Sequence, residues 1–183
     1  MTPDVPTLTT PRLILRPLEL ADAGAVQALF PHWEIVRFLG HVPWPYPPDG
    51  ALCFIRDKVL PAVRQGTEWH WSIRLKTAPQ RLVGEICLRD KPDDNRGFWL
   101  ERAAQGQGLM AEAASAVTDY WFETLERPVL RVLKAVANVP SRRVSERVGM
   151  RLVGTLERDF VSGRLAAEVF EITREEWRGR PFR

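Results

Sequence analysis

Little in this 183-residue chain is extreme, and its shortages are informative. It has two cysteines, Cys53 and Cys87, 34 positions apart (87 − 53) and without metal-ligand spacing. Both stand beside apolar residues, so free buried thiols in a reducing compartment are expected, with no disulfide and no metal centre. No apolar run reaches the roughly 20 residues of a membrane span. The N-terminal stretch Met1–Pro11 is polar and proline-bearing, unlike a secretory signal. Nor is there a block of like charge. Lys and Arg total 26 against 23 Asp and Glu, a net +3, too mild to point to nucleic acid. What remains is a cytoplasmic globular protein with 45% hydrophobic and 27% charged residues, expected to form one domain over residues 1–183.

Periodicity then gives the elements. Arg12-Leu13-Ile14-Leu15-Arg16 alternates charged and apolar residues and reads as a first strand. Asp22 is placed to cap a helix carrying Ala25, Val26, Leu29 and Phe30. Four prolines between His41 and Asp49 forbid regular structure there. Asp49 is then expected to cap a second helix, with Leu52, Phe54, Ile55, Val59 and Leu60 on its apolar side. Trp69–Ile73, Leu82–Leu88, Arg96–Leu100 and Val129–Val136 read as strands, and Leu152–Ile172 as two strands around Ser162-Gly163. Leu109, Ala113, Val117, Tyr120, Trp121 and Leu125 recur at helical spacing. Pro140 suits a first helical turn, Val144 and Val148 share a face, and Gly149 ends that short helix. The sum is an α/β single domain.

The most informative stretch is Gln105-Gly106-Gln107-Gly108-Leu109-Met110, between a strand and a helix. Such a turn offers outward N–H groups and the positive end of the helix dipole to an anion. It is no P-loop, since no Lys-Ser or Lys-Thr follows Gly108, and it lacks the third glycine of the dinucleotide fingerprint. On spacing alone, phosphate binding and a plain structural turn are equally good readings.

About thirty residues on stands Ala137-Asn138-Val139-Pro140-Ser141-Arg142-Arg143-Val144, followed by Arg147-Val148-Gly149-Met150. This pair of motifs resembles the GNAT superfamily of acyl-CoA-dependent N-acetyltransferases. Gln105-x-x-Gly108-x-Met110 looks like that family's pyrophosphate loop: Gln or Arg, two residues, Gly, one residue, then Gly or Ala. Met110 departs from the commonest last residue, but Gly-Leu-Met-x-Glu-Ala is familiar in the ribosomal-protein N-terminal (alanine) acetyltransferase branch. Thr10–Pro17, Leu82–Ile86, Gly97–Leu100 and Glu175-Glu176-Trp177 are similar to further segments of that branch. The resemblance runs from about residue 10 to 177.

The resemblance implies a mixed, mostly antiparallel sheet flanked by helices, with Arg96–Leu100 and Val129–Val136 splayed around the pantetheine arm of coenzyme A. It places the cofactor on Phe98, Trp99, Leu100, Gln105, Gly106, Gln107, Gly108, Leu109, Met110, Asn138, Ser141 and Arg143. Leu109 and Met110 contribute backbone only, their side chains being core residues. Asn138 is both a helix cap and a contact to the cofactor arm. Ser141 becomes the proton donor to the departing thiolate, because Ser145 stands where many members carry a tyrosine. Arg142, Arg143 and Arg147 either bind the ribose phosphate or form a solvated helix face.

The implied reaction moves acetyl from acetyl-CoA to an amine, with an oxyanion donor near Leu100 and Glu85 as leading general base. Glu101 and His70 are the other candidates for that role. Trp33, Trp44 and Tyr46 either line an acceptor groove or cover the core. The acceptor is a protein N-terminus or a small-molecule amine. A non-catalytic acyl-CoA-binding module is the alternative, and a homodimer is possible within the family.

Overall fold

Two sheets meet edge to edge in the computed structural model, which describes residues 5–180. Residues 1–4, the start of the polar N-terminal stretch, and 181–183 lie outside the described residues. The first sheet is β1 (Leu8–Thr9), β2 (Leu13–Pro17), β3 (Glu68–Leu75), β4 (Leu82–Arg89) and β5 (Arg96–Leu100), in that order. The second holds β6 (Val129–Ala135), β7 (Arg151–Phe160) and β8 (Gly163–Thr173) in the order β6-β8-β7. Every ladder between described strands is antiparallel.

The helices are α1 (Ala23–Leu29), α2 (Trp33–Val36), α3 (Gly50–Phe54), α4 (Leu60–Gln65), α5 (Leu109–Asp119), α6 (Val139–Arg147) and α7 (Arg174–Arg178). The predicted second helix is α3 and α4 joined by a wide turn, Ile55–Val59, so its apolar stripe is reset. Ala51, Ile55 and Val59 face inward, whereas Leu52 and Phe54, expected on the apolar side, point to solvent. Neither predicted acidic cap accepts a helix N–H with its side chain as expected. Asp49 makes no cap bond; Asp22 instead accepts from the Glu19 N–H and from Arg74 Nη2. Cys53 is half-buried rather than buried, and both cysteines are free.

β3 and β4 are central and covered on both sides, which is why they read as near-continuous buried runs. On one face, Trp69, Trp71, Ile73, Ile86 and Leu88 pack under α5, whose Leu109, Ala113 and Val117 repeat at helical spacing. On the other face, Leu82 and Trp99 pack against Val26, Phe30, Ile55 and Val59 of the N-terminal helices. Gly84 lets β4 and β5 close up, because a Cβ there would collide with the Trp99 carbonyl oxygen.

No ladder joins β5 to β6 among the described strands. A clamp holds them at one end only. The Asn95 N–H donates to Arg131 O at 2.7 Å, and the Arg131 N–H donates to Asn95 Oδ1 at 2.8 Å. Asp94 Oδ1 accepts from the Leu133 N–H beside it. From this clamp both strands run on toward their C-terminal ends without main-chain pairing, forming a V. The expected splay thus falls between the expected strands, and β6 ends at Ala135, one residue short of the predicted boundary.

Candidate active site

The V has a wall with a definite polarity. The Glu101 N–H donates to Val83 O across the sheet. Strand alternation therefore turns the Leu100 N–H to the opposite edge, toward β6. Leu100 O on that edge accepts from Gln105 Nε2 at 2.9 Å, which ties the strand end to the glycine loop. Phe98 lines the same V. Trp99 does not: its main chain faces β4, and its indole donates to Glu85 Oε2 at 3.0 Å and meets Phe30 edge-on. Of the three strand residues expected at the cofactor, Phe98 and Leu100 face the V and Trp99 turns away.

The loop beyond is shaped by two left-handed glycines, Gly106 at φ 76° and Gly108 at φ 77°. Only glycine adopts these angles without strain. Gly108 is also the residue from which α5 starts, and no side chain caps that end. The first-turn N–H groups, from Leu109 on, are thus left for an outside acceptor. Gln105, Gly106 and Gln107 are exposed, while the Leu109 and Met110 side chains are buried in the core, as expected.

Two guanidinium groups converge on this loop. A Cβ built on Gly108 would lie 3.6 Å from both Arg12 Nη2 and Arg147 Nη1. Arg12 is held there by Glu112, through Nε at 2.6 Å and its own N–H at 2.8 Å, and donates from Nη1 to Gln107 O at 2.9 Å. Arg147 comes from α6. Sequence reasoning placed Arg12 in a strand and gave it no role. Its loop contact joins residues 95 positions apart, so no local signal marks it.

On α6, Asn138 Oδ1 accepts from the Ser141 N–H at 3.3 Å, so the cap reading of Asn138 holds. Ser141 is buried at the start of the helix, and Ser145 Oγ is buried without a partner. The three arginines divide. Arg142 pairs with Glu168 of β8, Arg143 is exposed, and Arg147 reaches the glycine loop. Of the three, Arg147 is the one beside the glycine loop, while Arg143, one of the residues expected at the cofactor, is on the exposed face.

The proposed base sits in a closed network on the far face of the sheet. His70 Nδ1 contacts Glu85 Oε1 at 2.8 Å and His70 Nε2 contacts Glu68 Oε2 at 2.9 Å. Burial alone would lower the His70 pKa. The Cys87 sulfur and the two carboxylates outweigh it, and the imidazole is pushed up to about 10. The two carboxylates thus favour the protonated imidazole, which is poorly suited to act as a general base. Glu101 is bound by both Arg81 guanidinium nitrogens at 2.6 Å, a structural ion pair. Both Glu85 oxygens already accept a hydrogen bond.

Above this network lies the proline-rich loop. Tyr46 packs on Gly50 and on Phe30, and its phenol is pushed up to about 12 by burial and then by Glu85 and Cys53. Tyr46 covers the core. Trp33 and Trp44 pack together at 5.7 Å and are exposed, so the two readings of these aromatics part by residue.

Comparison with known proteins agrees with this geometry. The family model described as an acetyltransferase (GNAT) domain matches residues 12–151. YdaF of Bacillus subtilis (strain 168), named as a candidate ribosomal N-acetyltransferase, is 32% identical over 105 residues, 54% of this chain and 57% of that protein. An acetyltransferase structure from Agrobacterium tumefaciens str. C58 is 27% identical with a TM-score of 0.72, covering 92% of this chain and 94% of that one. RimL, a ribosomal L7/L12 alpha-N-protein acetyltransferase solved in complex with coenzyme A, shares the fold. Its TM-score is 0.78 at 16% identity, over 94% of this chain and 98% of that one. The family match spans the V, the glycine loop and α6 together, and the chain belongs to the GNAT acetyltransferases.

Proposed function

We propose that this protein acetylates a primary amine, a protein N-terminus first among them, with acetyl-CoA as donor. The observation that carries the reading is the unpaired β5–β6 edge at Leu100 followed by two left-handed glycines, the second flanked by Arg12 and Arg147. This cradle suits a pyrophosphate: exposed N–H groups, no Cβ to fill it, and two cations beside it. Gln107, Gly108, Leu109 and Met110 would hold the diphosphate through main chain. Asn138 and Phe98 would flank the arm.

Acetyl-CoA would supply the acyl thioester when bound; the rest of the chemistry belongs to the chain. The Leu100 N–H is placed to stabilise a developing oxyanion, a contribution on the order of 10²–10³ in rate. Ser141, buried at the start of α6, is the proton donor to the thiol side. An α-amine has a pKa of about 7.7–8.0 and is partly neutral at pH 7, so it needs little help from a base. That suits a site whose leading base candidate, Glu85, has both oxygens engaged. Glu85 acts through water or through its field. The exposed Trp33–Trp44 pair offers an apolar surface to a peptide acceptor. Both free thiols suit a reducing, cytoplasmic setting.

Incubating the protein with acetyl-CoA and a panel of N-terminal peptides and small amines, with thiol release as readout, tests this. Turnover of peptides bearing a free α-amine is expected. Turnover of small amines alone moves the acceptor assignment, and tight coenzyme A binding without any turnover leaves only a binding module. Glu85→Gln should shift the pH–rate profile, and an unchanged profile removes Glu85 from the mechanism.

A further inference from the structure

The inner end of the V holds two buried cations without a counter-ion. Lys134 of β6 is 8% exposed, and Arg96 of β5 is fully buried. Among the described residues neither forms an ion pair. Arg96 donates to Thr118 Oγ1 and contacts Met150 Sδ, while Lys134 has only the Phe98 ring, 4.6 Å from Nζ to centroid. An aromatic face returns part of the hydration an ammonium loses, and an unpaired buried charge remains costly.

The surroundings deepen the imbalance. The charged groups that act most on Lys134 are Asp94, Arg96, Arg89 and Arg158, three cations and one carboxylate, while buried Glu168, opposite Lys134 on β8, is paired with Arg142. Asp94 is already engaged by Arg89, Arg158 and the Leu133 N–H. Burial, and then these cations against Asp94, push Lys134 down to about 8, so it is still mostly charged at neutral pH.

Position says what such a cation would read. Phe98 and Lys134 each stand three residues beyond the clamp formed by Asn95 and Arg131. Leu100 is two residues further out, about 6–7 Å along the strand. In the reading above, the thioester carbonyl lies at the Leu100 N–H and the thiol side extends outward to Gly106 and Gly108. In that pose the acyl chain extends inward from the carbonyl, toward Phe98 and Lys134.

We infer that Lys134, backed by Arg96, binds a carboxylate at the far end of the acyl chain, so that the preferred donor is a short dicarboxylic acyl thioester of the succinyl type. A four-carbon diacid sets its carboxyl carbons roughly 4 Å apart. A hydrogen bond adds about 3 Å, a reach comparable with the two-residue step along β5 from Leu100 to Phe98, whose ring carries Lys134 Nζ. The carboxylate is a spectator: the N–C bond formed and the C–S bond broken are those of any amine acylation. The inference rests on the V receiving an acyl-CoA.

Calorimetric titration of the protein with coenzyme A, acetyl-CoA and succinyl-CoA, in the absence of acceptor, tests it. A charge-assisted contact predicts that succinyl-CoA binds about tenfold or more tightly than acetyl-CoA at pH 7. Lys134→Met, close to Lys in shape and without the charge, should collapse that margin while the protein stays folded by circular dichroism. Equal affinity for the two donors, or a margin that survives Lys134→Met, overturns the inference and leaves the proposed function standing. Failure of coenzyme A itself to bind overturns both.

Discussion

His70 and Lys134 are both buried cations, and their surroundings treat them in opposite ways. His70, on β3, lies between Glu68 and Glu85 and is pushed up to about 10. Lys134, on β6, rests on the Phe98 ring with no anion and is pushed down to about 8. Burial opposes charge at both sites, so the difference comes from the partners. A cation whose hydrogen bonds are complete belongs to the architecture. One left incomplete at the inner end of an open V has its chemistry available to a ligand.

The comparison breaks most visibly at His70. His70→Leu leaves buried Glu85 without its cation and half-buried Glu68 with only Lys91, and should cost about 3–5 kcal/mol in urea unfolding. A cost below 1 kcal/mol would mean that the network is not a saturated unit. Lys134→Met should go the other way. Removing an unpaired buried charge raises stability, by about 1–3 kcal/mol on the same measurement; a loss would show that Lys134 has found a partner in solution.

Alkaline titration of stability sharpens the contrast. His70 is raised above its usual value, so its stabilisation is complete below about 6.5 and disappears as pH climbs toward 10. Lys134 is lowered, so its penalty is complete below about 8 and is relieved as pH rises from there toward 10.5. Melting curves from pH 6 to 10.5 should therefore fall less steeply for His70→Leu than for the parent, and more steeply above pH 8 for Lys134→Met. The smallest expected effect is at Gly108→Ala, where a Cβ at φ 77° costs about 1–2 kcal/mol in the loop. The same Cβ crowds Arg12 and Arg147, so the thermal shift given by coenzyme A should shrink. An undiminished shift would place the diphosphate elsewhere.

Much of this was legible before any coordinates. The strands from β3 to β6, the α5 stripe, the Asn138 cap and the glycine loop all rest on short-range patterns, and the structure places them close to their predicted bounds. Where reading failed, a wide turn or a distant partner had intervened. Leu52 and Phe54 face outward because the turn at Ile55–Val59 shifts the helical phase. Asp22 leaves its expected cap for Arg74, 52 positions away. The four residues of α2 are too short to show a period. Lys134 did leave a trace: it follows Leu130 and Val132 in the inward register of β6, a place where a strand rarely carries a charge.

The sequence by itself determined the family, through the order and spacing of Gln105–Met110 and Asn138–Ser141, because turns and caps are set by residues within reach of one another. Tertiary structure alone decided which charges meet. It brought Arg12 and Arg147 to Gly108, closed Glu68, His70 and Glu85 into one network, and left Lys134 without an anion. Those outcomes depend on distances between strands and helices far apart in the chain. A charge buried among such neighbours keeps, gains or loses its proton according to what the fold sets beside it.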